Sequence, residues 1–520
     1  MTKIFIKRKL DGSDENIKCV NCNKRERINS SHICHYCYGI NSLVVVNSGN
    51  IKIDNFIKGT QSSKNRRNDQ FLEWVPFTEF EDVKKIGQGG FSQIFKATWK
   101  IHSGIDYEGT VKWSKSEREI VLKVLNNSEN VDTEFLNELE HTFQFRAKKP
   151  YHENIIECYG VTQDPQTKNY AFVLEYIPNG DLYHFIHKNF EKLTWKSKID
   201  YLNNIVRGIK EIHKKKIIHR DLHSGNILIN KNQDDCKSHY AIISDLGFSQ
   251  PANIDLNLSR ESQICGIIPY MAPELFKNQP YSFTSDIYSI GMTMWQMTSG
   301  HRPFHDQEHG PKLILDILDG KRPEITEDTP EFWANLMKRC WHPDSSQRPS
   351  IQDIYELSEE FTYYHNRDYH LSERSEYEAK KYYPDRYNNW LEFNEAEKKR
   401  LEMVGLKKPF VKNPGYEHPN SRYYSTSLNS MLESINSTVV SDLFSNNNLL
   451  SNDNFDIMNI NSYNQENICE NSDHNSSLEN SKKHSLDELL QENIEDQNDF
   501  KRRKIVEYFN ECFLDEGGSA

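Results

Sequence analysis

Between residues 91 and 360 the apolar pattern of the chain passes from mainly strand-like to mainly helical, and that change constrains the fold more than any other feature. FSQIFKATW (91–99), EIVLKVL (119–125) and YAFVLEYI (170–177) alternate or run apolar in the manner of strands. A helical stretch, EFLNELEHTFQF (134–145), interrupts them. After the turn signal Pro178-Asn179-Gly180 the pattern becomes mainly helical up to about Glu360. Strands first and helices after predict an α+β architecture in two lobes.

The flanks have another texture. Residues 1–75 are polar, with four cysteines and a basic stretch near Lys64–Arg67. Residues 361–520 are rich in Tyr, Glu, Lys and Asn without clean periodicity, and from about Ser425 to Asp499 Asn, Ser and acidic residues dominate. Such a composition buries too little apolar area to offset its ordering entropy, so a largely disordered C-terminal tail is expected. A last amphipathic segment, FKRRKIVEYFNECFL (500–514), has the pattern of a short helix. Across 520 residues the formal net charge is −12, which argues against general electrostatic binding to nucleic acid or to an anionic membrane. No apolar run approaches the ~18–20 residues of a membrane span. The opening MTKIFIKRKL has basic residues but no apolar core like that of a signal peptide. The expectation is a soluble, cytoplasmic protein. KRRK (501–504) fits a nuclear import signal, though short basic runs are usually only solvated faces.

Residues 19–37 read CVNCNKRERINSSHICHYC. Cys19, Cys22, Cys34 and Cys37 make two C-x2-C pairs eleven residues apart, the spacing of two thiolate knuckles on one tetrahedral Zn2+ within a ribbon-like segment at 15–40. Four thiolates leave no open position, so the ion would be structural. His32 and His35 are alternative ligands, and a redox pair is the competing reading.

The central region carries phosphate and metal chemistry. GQGGF (87–91) joins two expected strands, and glycine lets backbone N–H groups approach phosphates that a side chain would hold off. Lys123 follows on a strand and Glu138 on a helix; an ammonium that orients phosphates needs a carboxylate to hold it. Taken alone, such a loop is more often only a hairpin and such a pair an ordinary surface ion pair. In HRDLHSGN (219–226), Asp221 is placed to accept the proton of an attacking hydroxyl, and Asn226 offers an amide oxygen to a metal. SDLG (244–247) adds a second carboxylate, Asp245, so that Asn226 and Asp245 could hold Mg2+ together with phosphate oxygens. The order matches phosphoryl transfer from a nucleotide.

With these motifs in this order, residues 76–360 resemble a eukaryotic protein kinase domain, closest to the tyrosine-kinase-like group of serine/threonine kinases. The resemblance implies the bilobal kinase fold, a small β-rich N-lobe and a larger helical C-lobe with ATP between them. It makes Ile86, Gly87, Gln88, Gly89, Gly90, Phe91, Ser92, Gln93 and Ile94 the glycine-rich loop, Lys123 the strand lysine and Glu138 the helix glutamate. It makes Asp221 the catalytic base and Asn226 and Asp245 the magnesium ligands. Leu174 falls at the gatekeeper, Glu175 to Ile177 at the adenine hinge and Asp181 at the ribose contact. YMAPE (270–274) closes the activation segment, Asp286 resembles the aspartate that braces the catalytic loop, and Arg348 the arginine that pairs with Glu274. Protein substrates and an upstream activating kinase are implied partners. Arg220 resembles the arginine that senses a phosphate on the activation segment, where Ser259 and Ser262 lie.

The chain departs from the family pattern at several positions. Ser92 replaces the third loop glycine, Val121 the usual alanine facing adenine, and Leu246 the phenylalanine of Asp-Phe-Gly. Serine/threonine kinases usually carry Lys where this chain has His223, and Thr where it has Ile267. Tyr270, where tyrosine kinases usually have Trp, favours serine/threonine acceptors. Two functions follow: an active protein kinase, favoured because Lys123, Asp221, Asn226 and Asp245 are all present, or a pseudokinase serving as a nucleotide-binding or scaffold module.

Overall fold

The computed structural model describes residues 48–61, 72–101, 104–105, 111–112, 116–129, 133–146, 154–231, 239–247, 249–251, 264–366, 380–382 and 384–435, with the isolated positions 18–20, 26 and 34. Helix α1 (Ile51–Gln61) precedes a six-stranded sheet made of β1 (Glu73–Trp74), β2 (Phe80–Gln88), β3 (Ser92–Ile101), β4 (Ser116–Leu125), β5 (Cys158–Gln163) and β6 (Tyr170–Glu175), with α2 (Thr133–Arg146) between β4 and β5. The strand order is β1-β5-β6-β4-β3-β2; β1 joins β5 in parallel and every other pair is antiparallel.

The period-2 alternation of the strands sends side chains to opposite faces. Ile120, Leu122, Ala171 and Val173 pack with Phe80 and Trp99 on one face. On the other, Tyr170 and Phe172 pack with Phe135 and Leu139 of α2 and with Ile53 and Ile57 of α1. The Phe135 and Phe172 rings stack at 5.1 Å. Lys123 is the register partner of Phe172 and so belongs to the α2 face. Gly160 admits β1, because a Cβ there would overlap the Glu73 carbonyl. The β-rich lobe therefore starts before the expected boundary at 76 and takes in α1 and β1.

The second lobe is helical: α3 (Leu182–Asn189), α4 (Trp195–Lys214), the hairpin β7 (Ile227–Lys231) and β8 (His239–Ile243), the short strand β9 (Cys265–Gly266), then α5 (Phe283–Ser299), α6 (Pro311–Leu318), α7 (Glu331–Cys340) and α8 (Ile351–Asn366). Helix α5 is apolar around its circumference, as a central core helix must be, and every residue from Ser285 to Ser299 is buried. A Ser282/Ser285 capping box starts it and Gly300, at φ 77°, ends it. The α+β, two-lobed expectation describes this architecture. Among the described residues no helix is long and apolar enough to cross a membrane.

The expected disorder from 361 onward does not describe residues 384–435. Helix α9 (Pro384–Gly405) and a following segment that ends in a helical turn lie on the second lobe, and β10 (Thr426–Ser427) joins its sheet structure. Phe393 is buried among Trp195 and Phe361, at ring distances of 5.8 and 5.3 Å. The Glu397 carboxylate accepts the Trp195 N–H at 2.8 Å and Glu392 accepts that of Phe332 at 3.1 Å. Each carboxylate thus satisfies an open N–H in the first turn of another helix and complements its dipole. This helix is held by a few apolar anchors and two borrowed caps, which explains why its own hydrophobic pattern is faint. Residues 436–520, with the 500–514 segment, lie outside the described residues.

If α9 is part of the folded body, Phe393→Ala should cost ~3–5 kcal/mol, as for other buried aromatic truncations. Urea unfolding measures it; an unchanged midpoint would assign α9 to a dispensable tail.

Candidate functional site

The cleft between the lobes collects the residues that the sequence singled out. β4 presents Lys123 on the α2 face, and α2 presents Glu138; the Lys123 Nζ donates to Glu138 Oε1 at 2.7 Å. The same Nζ donates at 2.7 Å to Asp245 Oδ1, which comes from the second lobe. Burial would lower the Lys123 pKa, but the two carboxylates more than reverse this and hold the ammonium above the ordinary lysine range. Burial likewise pushes Asp245 up, yet Lys123 and the Gly247 N–H bring its carboxyl below the usual range. Burial raises Glu138 against the pull of Lys123. A surface ion pair does not describe this arrangement.

The loop 219–226 is fixed from below by Asp286. That buried carboxylate accepts the backbone N–H of His219 at 2.9 Å and of Arg220 at 3.0 Å, and lies 2.8 Å from His213 Nε2. Burial raises the Asp286 carboxyl, but His213, together with the His219 ring and N–H, carries it below the ordinary range. Arg220 and Asp245 both hold positive φ, 72° and 60°, a conformation that non-glycine residues keep only where surrounding bonds over-determine it. Asn226 donates to the Asp221 carbonyl at 2.9 Å and lies 3.3 Å from Asp221 Oδ2. The Ser244 N–H donates to the Asn226 carbonyl at 2.8 Å, which sets the turn carrying Asp245 beside Asn226. The arrangement offers one ammonium, two oxygen ligands of the type Mg2+ prefers, and one carboxylate for a proton.

The glycine-rich loop closes a tight β2–β3 turn through Gly89 N–H to the Ser92 carbonyl at 2.8 Å. A Cβ on Gly87 or Gly89 would meet its nearest neighbour at 3.7 or 3.5 Å, ordinary contact distances. The packing of the loop therefore does not demand these glycines; a phosphate beneath the loop would. Ile86 and Phe91 stand exposed, Ser92 is buried, and Gln88 and Gln93 are register partners beside the Gly87–Ile94 pair. Val121 and Leu174 are register partners on β4 and β6, so the extra bulk at 121 sits against the gatekeeper position. In the hinge, the Glu175 N–H donates to Glu157 at 2.9 Å, and Ile177 is buried. Asp181 caps α3 through the His184 N–H at 2.8 Å and pairs with the His184 ring, so its carboxylate serves the helix.

Three further expectations concern His223, Arg220 with the activation-segment serines, and the cysteine cluster. The His223 Nδ1 accepts the Gly225 N–H at 3.0 Å, which leaves Nε2 toward Asp221 at 3.6 Å; the ring caps its own turn and does not extend as a lysine would. The Arg220 guanidinium stacks on Tyr281 at 4.1 Å, and Ser259 and Ser262 lie outside the described residues. Cys19 and Cys34 are buried, but Cys22 and Cys37 lie outside the described residues, and among the described ones no group of three or more metal-ligating side chains forms. Farther out, Glu274 and Arg348 form the expected pair, two parallel bonds of 2.7 Å.

Sequence reasoning missed His141, whose Nδ1 lies 2.8 Å from Ser249 Oγ and ties α2 to the segment after Asp245. It also missed Ser425, whose hydroxyl donates to Asp221 Oδ2 at 2.6 Å. Neither carries a local signal.

Known proteins match the same region. The family described as protein tyrosine and serine/threonine kinase matches residues 80–357, more than half of the chain. The serine/threonine-protein kinase/receptor R826 of Acanthamoeba polyphaga mimivirus is 31% identical over 54% of this chain and 15% of its own length. A serine/threonine-protein kinase of Dictyostelium discoideum is 28% identical over 61% of this chain and 16% of its own. The serine/threonine-protein kinase STY17 of Arabidopsis thaliana is 24% identical over 55% of this chain and 45% of its own. The chain thus spans less than half the length of each of these relatives. With a matched region that contains the glycine-rich loop, Lys123, Glu138, Asp221, Asn226 and Asp245, the chain belongs to the protein tyrosine and serine/threonine kinase family.

Proposed function

We propose that this chain is an ATP-dependent protein serine/threonine kinase. The observation that carries the reading is the Lys123 ammonium held 2.7 Å from both Glu138 and Asp245, beside the braced loop that bears Asp221 and Asn226. In this reading the backbone of the 86–94 loop covers the ATP phosphates, Lys123 orients them, and residues 175–177 receive the adenine. Asn226 and Asp245 would hold Mg2+, which when bound would neutralise charge on the phosphates. Asp221 orients the acceptor hydroxyl and takes its proton, while Glu138 keeps Lys123 from collapsing onto Asp245 alone. The preference for serine or threonine is supported by the printed names of the matched relatives and by Tyr270, whose hydroxyl lies 3.2 Å from Ser224 in the catalytic loop. Phosphorylation of Ser259 or Ser262 by an upstream kinase, and a cytoplasmic site of action, are part of the same reading.

A structural zinc ion at 15–40 belongs to it as well. The support is the burial of Cys19 and Cys34 and an antiparallel bridge between Lys18, next to Cys19, and Glu26. Thiolates buried in so polar a segment suit a metal better than solvent.

Two outcomes test these readings. Asp221→Asn should lower transfer from labelled ATP to casein by about 10²-fold or more while nucleotide binding persists, whereas Lys123→Ala should weaken both. Unchanged transfer in the first variant would remove Asp221 as the base, and no transfer by the parent protein would leave only a scaffold role. Metal analysis of the full chain should find about one zinc, lost in a Cys19→Ser/Cys22→Ser variant; a metal-free parent protein would remove the zinc ion from the reading.

A further inference from the structure

We propose that Ser425 is a phosphoacceptor for its own active site, presented by a C-terminal segment that occupies the groove for protein substrates. The inference rests on the kinase reading above. The Ser425 hydroxyl, 204 positions from Asp221, donates to Asp221 Oδ2 at 2.6 Å and is buried there. That is hydrogen-bond reach for a general base and its acceptor. Among the described hydroxyls from 423 to 427, Ser425 is the one bonded to Asp221; the Tyr423 hydroxyl donates to the Pro303 carbonyl at 2.8 Å.

Both sides of the segment are held as a bound peptide would be. After Ser425, β10 pairs antiparallel with β9, Thr426 opposite Gly266 and Ser427 opposite Cys265. The Leu428 N–H donates to the Ile264 carbonyl at 2.8 Å, and the Ile264 N–H donates to the Asn429 side chain at 2.8 Å. Addition of a strand to a free edge is a recurring mode of peptide recognition, with pockets for alternate side chains. Leu428 and Leu432 fill such sites in the core of the helical lobe. Before Ser425, the Arg302 guanidinium lies 3.8 Å from the Tyr423 ring and 4.1 Å from that of Tyr183. From above, the glycine-rich loop lies so close that a Cβ on Gly90 would overlap the Ser425 carbonyl. The segment is gripped between the phosphate loop and the catalytic base.

The step balances within the kinase reaction. The Ser425 oxygen forms a bond to the γ-phosphorus of ATP as the bond from that phosphorus to the bridging oxygen breaks. ADP leaves with the electron pair, and the hydroxyl proton passes to Asp221. The product carries about −1.5 to −2 charge beside a carboxylate, which drives the segment out of the groove. Until then, an external acceptor must displace it.

The full chain is incubated with Mg2+ and labelled ATP over a dilution series, with casein as an external acceptor, and phosphosites are mapped by mass spectrometry. Phosphate is expected on Ser425 at a first-order rate unchanged by dilution, because tethering gives an effective concentration of ~mM, far above that of the protein. Casein labelling is expected to lag until Ser425 is modified. Leu428→Asp, which unseats the segment, should slow Ser425 labelling by about tenfold or more and abolish the lag. Casein labelling without phosphate on Ser425 would overturn the inference and leave the kinase reading intact. So would Ser425 labelling that accelerates with protein concentration, which means transfer between copies, or a lag that survives Leu428→Asp. Labelling of neither acceptor would overturn both readings.

Discussion

A single ammonium joins the two lobes. Lys123 reaches from the central strand of the sheet to Glu138 on α2 and to Asp245 on the far side of the cleft. Lys123 and Glu138 are buried and Asp245 only partly so, and a buried charge is tolerable only beside its partner: removing one member of a fully buried pair costs about 3–5 kcal/mol. The orientation of α2, the turn at Asp245 and the depth of the cleft all have to satisfy that one group. Packing supports it from behind, because Phe172, the register partner of Lys123, stacks on Phe135 of the same helix.

The helical lobe solves the corresponding problem for the catalytic loop. Asp286 stands on the buried α5 and binds two consecutive backbone N–H groups, so a core helix sets the position of Asp221. The positive φ of Arg220 is strain that this carboxylate makes affordable. Loop geometry thus follows from the core, because the helix beneath supplies the carboxylate that holds it.

The C-terminal segment extends the same economy of contacts. Helix α9 has few apolar residues of its own, yet it supplies carboxylates to the first turns of α4 and α7 and places Phe393 against Trp195. From its end the chain crosses the lobe and brings Ser425 to Asp221. A segment of this composition orders because the lobe offers unpaired helix termini and an open strand edge, both of which a polar backbone can satisfy.

The order of strands and helices, the glycine-rich turn, and the residues that meet at the cleft, Lys123, Glu138, Asp221, Asn226 and Asp245, were legible in the sequence, because each rests on a short-range period or on a short motif. Glu138 could be chosen only as a helix carboxylate after a strand lysine; the 2.7 Å contact belongs to the folded lobes. The role of His223 was not legible, since a ring that accepts its own loop's N–H and a ring that faces a phosphate have the same local sequence. Nor was the order of residues 384–435, whose Asn- and Ser-rich end lacks the apolar density that signals a core. By itself the sequence determined the architecture and the chemical groups of the site, through local periodicity and residue chemistry. Only the tertiary structure decided which groups share a charge and which distant serine meets the base, because those contacts join positions up to 204 residues apart and leave no trace in any short window.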